Sequence, residues 1–139
     1  MLVFLLAALV LAALLFACDH VMVTDWVGGY PVEVRVERTG TRPVKAAAVA
    51  LLFKGERLAV ENDFSRIDSP WQPVSLTEGG TFTVEVKCGG RDSGLGRRLS
   101  FVRNEVLVLK VEYADGTTKY VVAELPESRG PRQLSVQVP

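Results

Sequence analysis

Val32, Val34 and Val36 alternate with Glu33, Arg35 and Glu37, a two-residue period that limits the segment to a strand with one dry and one wet face. The same period returns at Phe82, Val84, Val86 and Cys88, set between Thr81, Thr83, Glu85 and Lys87. It returns again at Leu107, Leu109, Val111 and Tyr113. A helix would scatter these apolar positions round its surface, because its faces repeat every ~3.6 residues. Each run ends in turn chemistry, at Thr39-Gly40, Gly89-Gly90 and Asp115-Gly116. A two-residue Asp-Gly turn favours a hairpin, here between 106–114 and 117–125. Folding the chain at that point sets Glu112 opposite Lys119, Val111 opposite Tyr120 and Leu109 opposite Val122.

Further strands are expected near 21–24, 31–38, 45–53, 57–60, 72–76, 81–88, 98–102 and 132–138. With the hairpin, these are too many short strands for a single open sheet, and they predict an all-β chain folded as one antiparallel, Ig-like β-sandwich. Glu61 to Trp71 reads as an irregular loop joining sheets. Lys45 to Phe53 is evenly poised on propensity: its alanines and Pro43 suit a helix, while Gly55 interrupts one. Lys54-Gly55-Glu56 reads as a turn into the strand at Arg57 to Val60. Pro43-Val44-Lys45-Ala46-Ala47-Ala48-Val49-Ala50-Leu51 resembles the Pro-Val-x-Gly-Ala-x-Val-x-Leu segment of carboxypeptidase-regulatory and transthyretin-like domains, with Ala46 where those domains usually carry glycine. Gly79-Gly80-Thr81-Phe82-Thr83-Val84 is similar to their glycine-then-strand element. The resemblance implies a strand over 45–53 and a transthyretin-like sandwich.

Ahead of these strands, Leu2 to Ala17 are sixteen consecutive Leu, Ala, Val or Phe residues. The run is shorter than the ~20 residues that cross a bilayer comfortably, and Asp19 prevents its extension. It fits the apolar core of a signal peptide, preceding the sandwich as an apolar helix, although no Lys or Arg follows Met1. Leu15-Phe16-Ala17-Cys18 resembles the lipobox of bacterial lipoproteins; Phe16 is bulkier than usual at its position. That resemblance implies a signal peptide over 1–17 and a thioether-linked lipid on Cys18. A tether and first strand would follow over 18–29 and the sandwich domain over 30–139, the chain facing the periplasm or the surface of a bacterial envelope. Two alternatives remain: an uncleaved membrane anchor, or ordinary secretion with Cys18 paired to Cys88. A lipid on Cys18 would leave Cys88 an unpaired thiol, on the same core-facing stripe as Phe82, Val84 and Val86.

Sixteen Lys plus Arg balance sixteen Asp plus Glu, so the chain has no bulk attraction for nucleic acid. Two cysteines exclude a disulfide-dense scaffold. The single histidine, His20, falls on the tether, which argues against a Ser-His-Asp or Cys-His system and against zinc. Glu61, Asn62, Asp63 and Asp68 share a loop but lack EF-hand spacing. No catalytic residue, metal site or cofactor is expected. Two binding features stand out. Arg91, Arg97 and Arg98 flank the glycines of Gly89 to Gly96, a candidate anion-binding loop without the lysine of a Walker sequence. Trp26, Tyr30 and Trp71 are candidates for an aromatic platform.

These features together predict a lipid-anchored, non-enzymatic module of the cell envelope that serves protein interaction or structural support. Its partners would be the membrane, through the lipid, and an envelope protein the sequence does not identify. The alternative is a small-ligand or glycan binder using the aromatics.

Overall fold

Val106, Leu107, Val108 and Leu109 are consecutive and all fully buried, so the strand that carries them is covered on both faces. It is the centre of a computed structural model describing residues 1–20, 22–68, 70–76 and 80–139. Val21 of the first expected strand, Ser69 of the irregular loop and Gly79 of the glycine-then-strand element lie outside the described residues. An apolar helix, α1 (Leu2–His20), precedes β1 (Val23–Arg38), β2 (Val44–Phe53) and the short helix α2 (Lys54–Val60). One turn of 3-10 helix (Phe64–Arg66) leads to β3 (Gln72–Val74), β4 (Thr81–Ser93), β5 (Arg98–Tyr113), β6 (Thr118–Glu124) and β7 (Gln133–Val138). The chain is therefore mostly β behind an N-terminal apolar helix.

The strands hydrogen-bond in the order β3-β2-β5-β4-β1-β7, and β6 also pairs with β5. β2 and β6 both run antiparallel to β5. β7 runs parallel to β1, from Glu33 opposite Gln133 to Arg38 opposite Val138. The sheet is thus open and mixed, where a purely antiparallel pairing was expected. Ten expected strands become seven among the described residues, because 23–24 and 31–38 share β1, 98–102 and 106–113 share β5, and 57–60 is helical.

Two compact units divide the chain. The larger, Gly29–Lys87 with Arg103–Pro139, holds the core, including Val32, Val34, Val36, Val84, Val86, Val136 and Val138. On one face of its β2–β5 ladder, Ala50, Leu52, Val106 and Val108 meet Val60 of α2 and Ile67, with Phe64, Trp71 and Tyr120 packed at the side. The smaller, Met1–Gly28 with Cys88–Val102, contains α1 and the adjoining stretches of β1, β4 and β5.

β2 resolves the evenly poised segment as a strand, in register with β5 from Ala46 opposite Glu112 to Leu52 opposite Val106. The expected strand at 57–60 is instead the end of α2. Phe53 N–H donates to the Glu56 carboxylate at 2.8 Å, closing the first turn, and Glu61 ends the helix in the left-handed region at φ 46°. Four residues reading Arg-Leu-Ala-Val are too few for periodicity to separate strand from helix.

The hairpin at Asp115-Gly116 forms, one residue out of the expected register: Val111 faces Lys119, Leu109 faces Val121 and Glu112 faces Thr118. The loop holds three residues rather than two. Tyr113 N–H bonds Thr117 O at 2.9 Å, Gly116 N–H bonds Tyr113 O at 3.0 Å, and Gly116 takes φ 85°. A three-residue loop ending in a left-handed glycine adds one position to the turn, which slides every cross-strand pair. Glu112 consequently pairs along its own strand with Lys110, at 2.8 Å.

Asp115 ties this turn together. Its carboxylate accepts from Thr117 Oγ1 at 2.7 Å and Thr117 N–H at 2.9 Å, and Arg42 reaches its other oxygen. These bonds, the Thr117 hydroxyl foremost, then the Thr117 amide and Arg42, hold the Asp115 carboxyl well below the usual carboxylate range. A depressed folded-state value adds stability above the unfolded value, about pH 4, and that stability is lost as pH falls further. The Asp115→Asn variant should therefore lose less stability than the parent between pH 6 and pH 2.5, measured as urea midpoints. Equal losses would show that the carboxylate contributes nothing.

Candidate functional site

The smaller unit gathers most of the residues the sequence singled out. No residue of α1 is buried, and the helix is long and apolar enough to cross a membrane by length and composition. A sixteen-residue run of Leu, Ala, Val and Phe without glycine or proline favours a helix, and no face of it is polar. Its last turn carries Cys18, whose sulfur lies 3.7 Å from Met22 Sδ. The His20 ring stacks on Phe16 at 4.0 Å, with Nδ1 3.1 Å from the Phe16 carbonyl. Both cysteines are free thiols, and Cys88 is half-buried rather than part of the fully buried valine stripe.

A clasp joins this helix end to the turn between β4 and β5. Gly94 N–H donates to the Cys18 carbonyl at 3.1 Å, and Arg97 meets Asp19 at 2.8 Å. Ser93 shapes the turn: its hydroxyl accepts from Arg97 N–H at 3.0 Å, and its own N–H bonds Arg97 O at 2.8 Å. The expected loop over Gly89 to Gly96 is thus shorter than its glycines suggested, since β4 runs on through Gly89 and Gly90 to Ser93. Glycine at 90 has a packing reason: a Cβ there would lie 2.6 Å from Ser100 O and 2.9 Å from the Trp26 ring.

Each candidate anion-binding arginine has its own carboxylate. Arg91 grips Asp25 at 2.7 and 3.4 Å, Arg97 takes Asp19, and Arg98 reaches Asp92 at 3.4 Å. The hydrogen bond from Arg91, then its charge, lowers the Asp25 carboxyl below its ordinary value, and the same pair raises the Arg91 guanidinium. Three such pairs neutralise the arginines locally.

The aromatic candidates divide by burial. Tyr30 is 4% exposed, and its hydroxyl donates to Pro126 O at 2.7 Å, so its ring offers no open face for a ligand. Trp71 is half-buried beside Tyr120, with ring centroids 6.2 Å apart, at the side of the core cluster. Trp26, also half-buried, stacks on Phe101 at 6.0 Å, and the Arg98 guanidinium sits 5.0 Å from its ring. Its indole nitrogen is buried and has no hydrogen-bond partner among the described residues. Sequence reasoning missed Phe101 and the exposed Leu95 at the turn; an apolar residue between two turn glycines was the available signal.

The Glu61 to Asp68 segment serves local structure: Asp63 caps the 3-10 turn by accepting from Ser65 N–H at 3.3 Å and Ser65 Oγ at 2.5 Å. Among the described residues, no three or more His, Cys, Asp or Glu side chains group as metal ligands would. A shallow cavity of about 230 Å³ in the larger unit has Glu85, Lys87 and Asn104 on its wall. Asn104, 2% exposed, accepts from Lys87 N–H at 2.8 Å, so its carbonyl oxygen serves the β4–β5 ladder.

Comparison with protein-family models, with curated proteins and with solved structures found no match to this chain.

Proposed function

We propose that this chain is a membrane-anchored, non-enzymatic β module of the bacterial cell envelope, facing the periplasm or the cell surface. It is held by lipid on Cys18 and offers its β domain to another envelope protein or to the envelope structure itself. The observation that carries this reading is α1, an apolar helix with no buried residue whose last turn bears Leu15-Phe16-Ala17-Cys18. Such a surface has no place in water, and a bilayer is the medium that accepts it. A single acyl chain binds a membrane only marginally, so the two or three chains of a lipoprotein are what make the attachment lasting.

The larger domain, in this proposal, is a transthyretin-like, Ig-like sandwich. The burial of Val106 to Leu109 on both faces of β5, and the use of β5 by β2, β4 and β6 alike, support two layers around that strand.

Mass spectrometry of the detergent-extracted protein tests the anchor. The expected product is an N-terminal peptide starting at Cys18 and heavier by a diacylglyceryl group. An intact Met1 leader would favour an uncleaved anchor, and a Cys18–Cys88 disulfide would favour ordinary secretion; either result overturns the proposal.

A further inference from the structure

We propose that the turn between β4 and β5 is a second membrane contact, with Leu95 inserted among lipid headgroups and the Trp26–Phe101 pair at the bilayer interface. The inference rests on the reading of α1 or a Cys18-linked lipid as an anchor, and adds to it a docking surface on the folded chain.

The clasp is the first reason. Gly94 N–H bonds the carbonyl of Cys18 itself, and Arg97 pairs with Asp19, so the turn is fixed to the point where the chain leaves the membrane. Whatever depth Cys18 takes, the turn follows within a few ångströms, whether the helix is retained or replaced by lipid.

The second reason is what this end presents to its surroundings. Met22, Leu95, Leu99, Phe101 and Val102 are all exposed, and Val27 is 92% exposed. The arginines that would resist burial are already paired with Asp19, Asp25 and Asp92. Arg98 lies over Trp26 and Phe101, at 5.0 and 5.4 Å from their rings. An arginine that keeps its charged head in water while its stem lies over apolar rings is a residue of the membrane interface. The local charge is balanced, so the surface calls for zwitterionic lipid as much as for anionic lipid. A protein partner would have to displace the bilayer from the patch nearest the anchor, which makes lipid the better occupant.

The chain has two tryptophans, one in each unit, and each can report alone. Full-length Trp71→Phe protein keeps only Trp26, and full-length Trp26→Phe keeps only Trp71. Both are reconstituted into phosphatidylcholine vesicles brominated at shallow acyl positions. Trp26 emission should fall at least about twofold further than Trp71 emission, as expected of an interfacial indole. Leu95→Asp in the Trp71→Phe background should bring Trp26 quenching down to the Trp71 level while the protein still floats with the vesicles, its circular dichroism unchanged. Equal quenching of the two tryptophans in floating protein would overturn the inference and leave the anchor standing. A Trp26 shift that follows protein concentration rather than lipid would mean a second copy covers the patch, and would also overturn it. Protein that fails to float would sink the anchor reading and this inference together.

Discussion

Leu109→Ala should cost about 3 kcal/mol of unfolding free energy and lower the melting temperature by about 10 °C. Leu109 has no exposed surface and sits mid-strand in β5, opposite Val49 of β2 and Val121 of β6. A strand paired on both edges and covered on both faces cannot close the space that a shortened side chain leaves. The loss therefore includes the cavity as well as the lost transfer of apolar surface. Val122→Ala is the control: Val122 lies in the neighbouring strand and is 39% exposed, so its truncation should cost under about 1 kcal/mol. Chemical denaturation of the two variants measures both. A loss below about 1 kcal/mol at Leu109 would mean that the centre of the domain lies elsewhere.

Cys18→Ser should abolish incorporation of labelled fatty acid and leave the chain as a longer precursor retaining Met1. The thiol is the only atom of the Leu15-Phe16-Ala17-Cys18 segment that can carry a thioether, and a hydroxyl at the same place does not replace it. The precursor should stay in the membrane fraction, because the exposed apolar helix is unchanged. Gel mobility and fatty-acid labelling in a bacterial host that processes lipoproteins read the two effects separately. Removal of the leader from the Cys18→Ser chain, with release of the product, would point to ordinary secretion. Absence of label in the parent would remove the lipid from the account.

Local patterning carried much of the strand content. The valines of β1, the Phe82 to Val86 stripe and the Leu107 to Tyr113 arm of the last hairpin were legible from alternation, and its second arm followed from the Asp115-Gly116 turn. Where geometry depended on a distant neighbour, alternation was silent. The glycines at 89 and 90 resemble a strand end in isolation, yet they lie inside β4, where Trp26, more than sixty positions earlier, lies across Gly90. The register of the hairpin turned on whether two or three residues made its loop, a choice governed by Gly116 and by Thr117 bonding to Asp115. The parallel pairing of β1 with β7 joins opposite ends of the chain and has no local signature. At the candidate site, the arginines and aromatics could be named from sequence. Their partners could not, because Arg91 with Asp25 and Arg97 with Asp19 are pairs brought together only by folding.

The parallel pairing of β1 and β7 has a mechanical consequence. A pull between Cys18 and Pro139 draws β1 toward its start and β7 toward its end, so the two strands tend to slide past each other. The six residue pairs from Glu33–Gln133 to Arg38–Val138 then carry the load together, in shear. In an antiparallel hairpin pulled from its open end, the bonds would break one at a time. A domain tethered at its N-terminal side and pulled from its C-terminal side would thus meet the tension with a ladder loaded in shear, and yield abruptly rather than gradually.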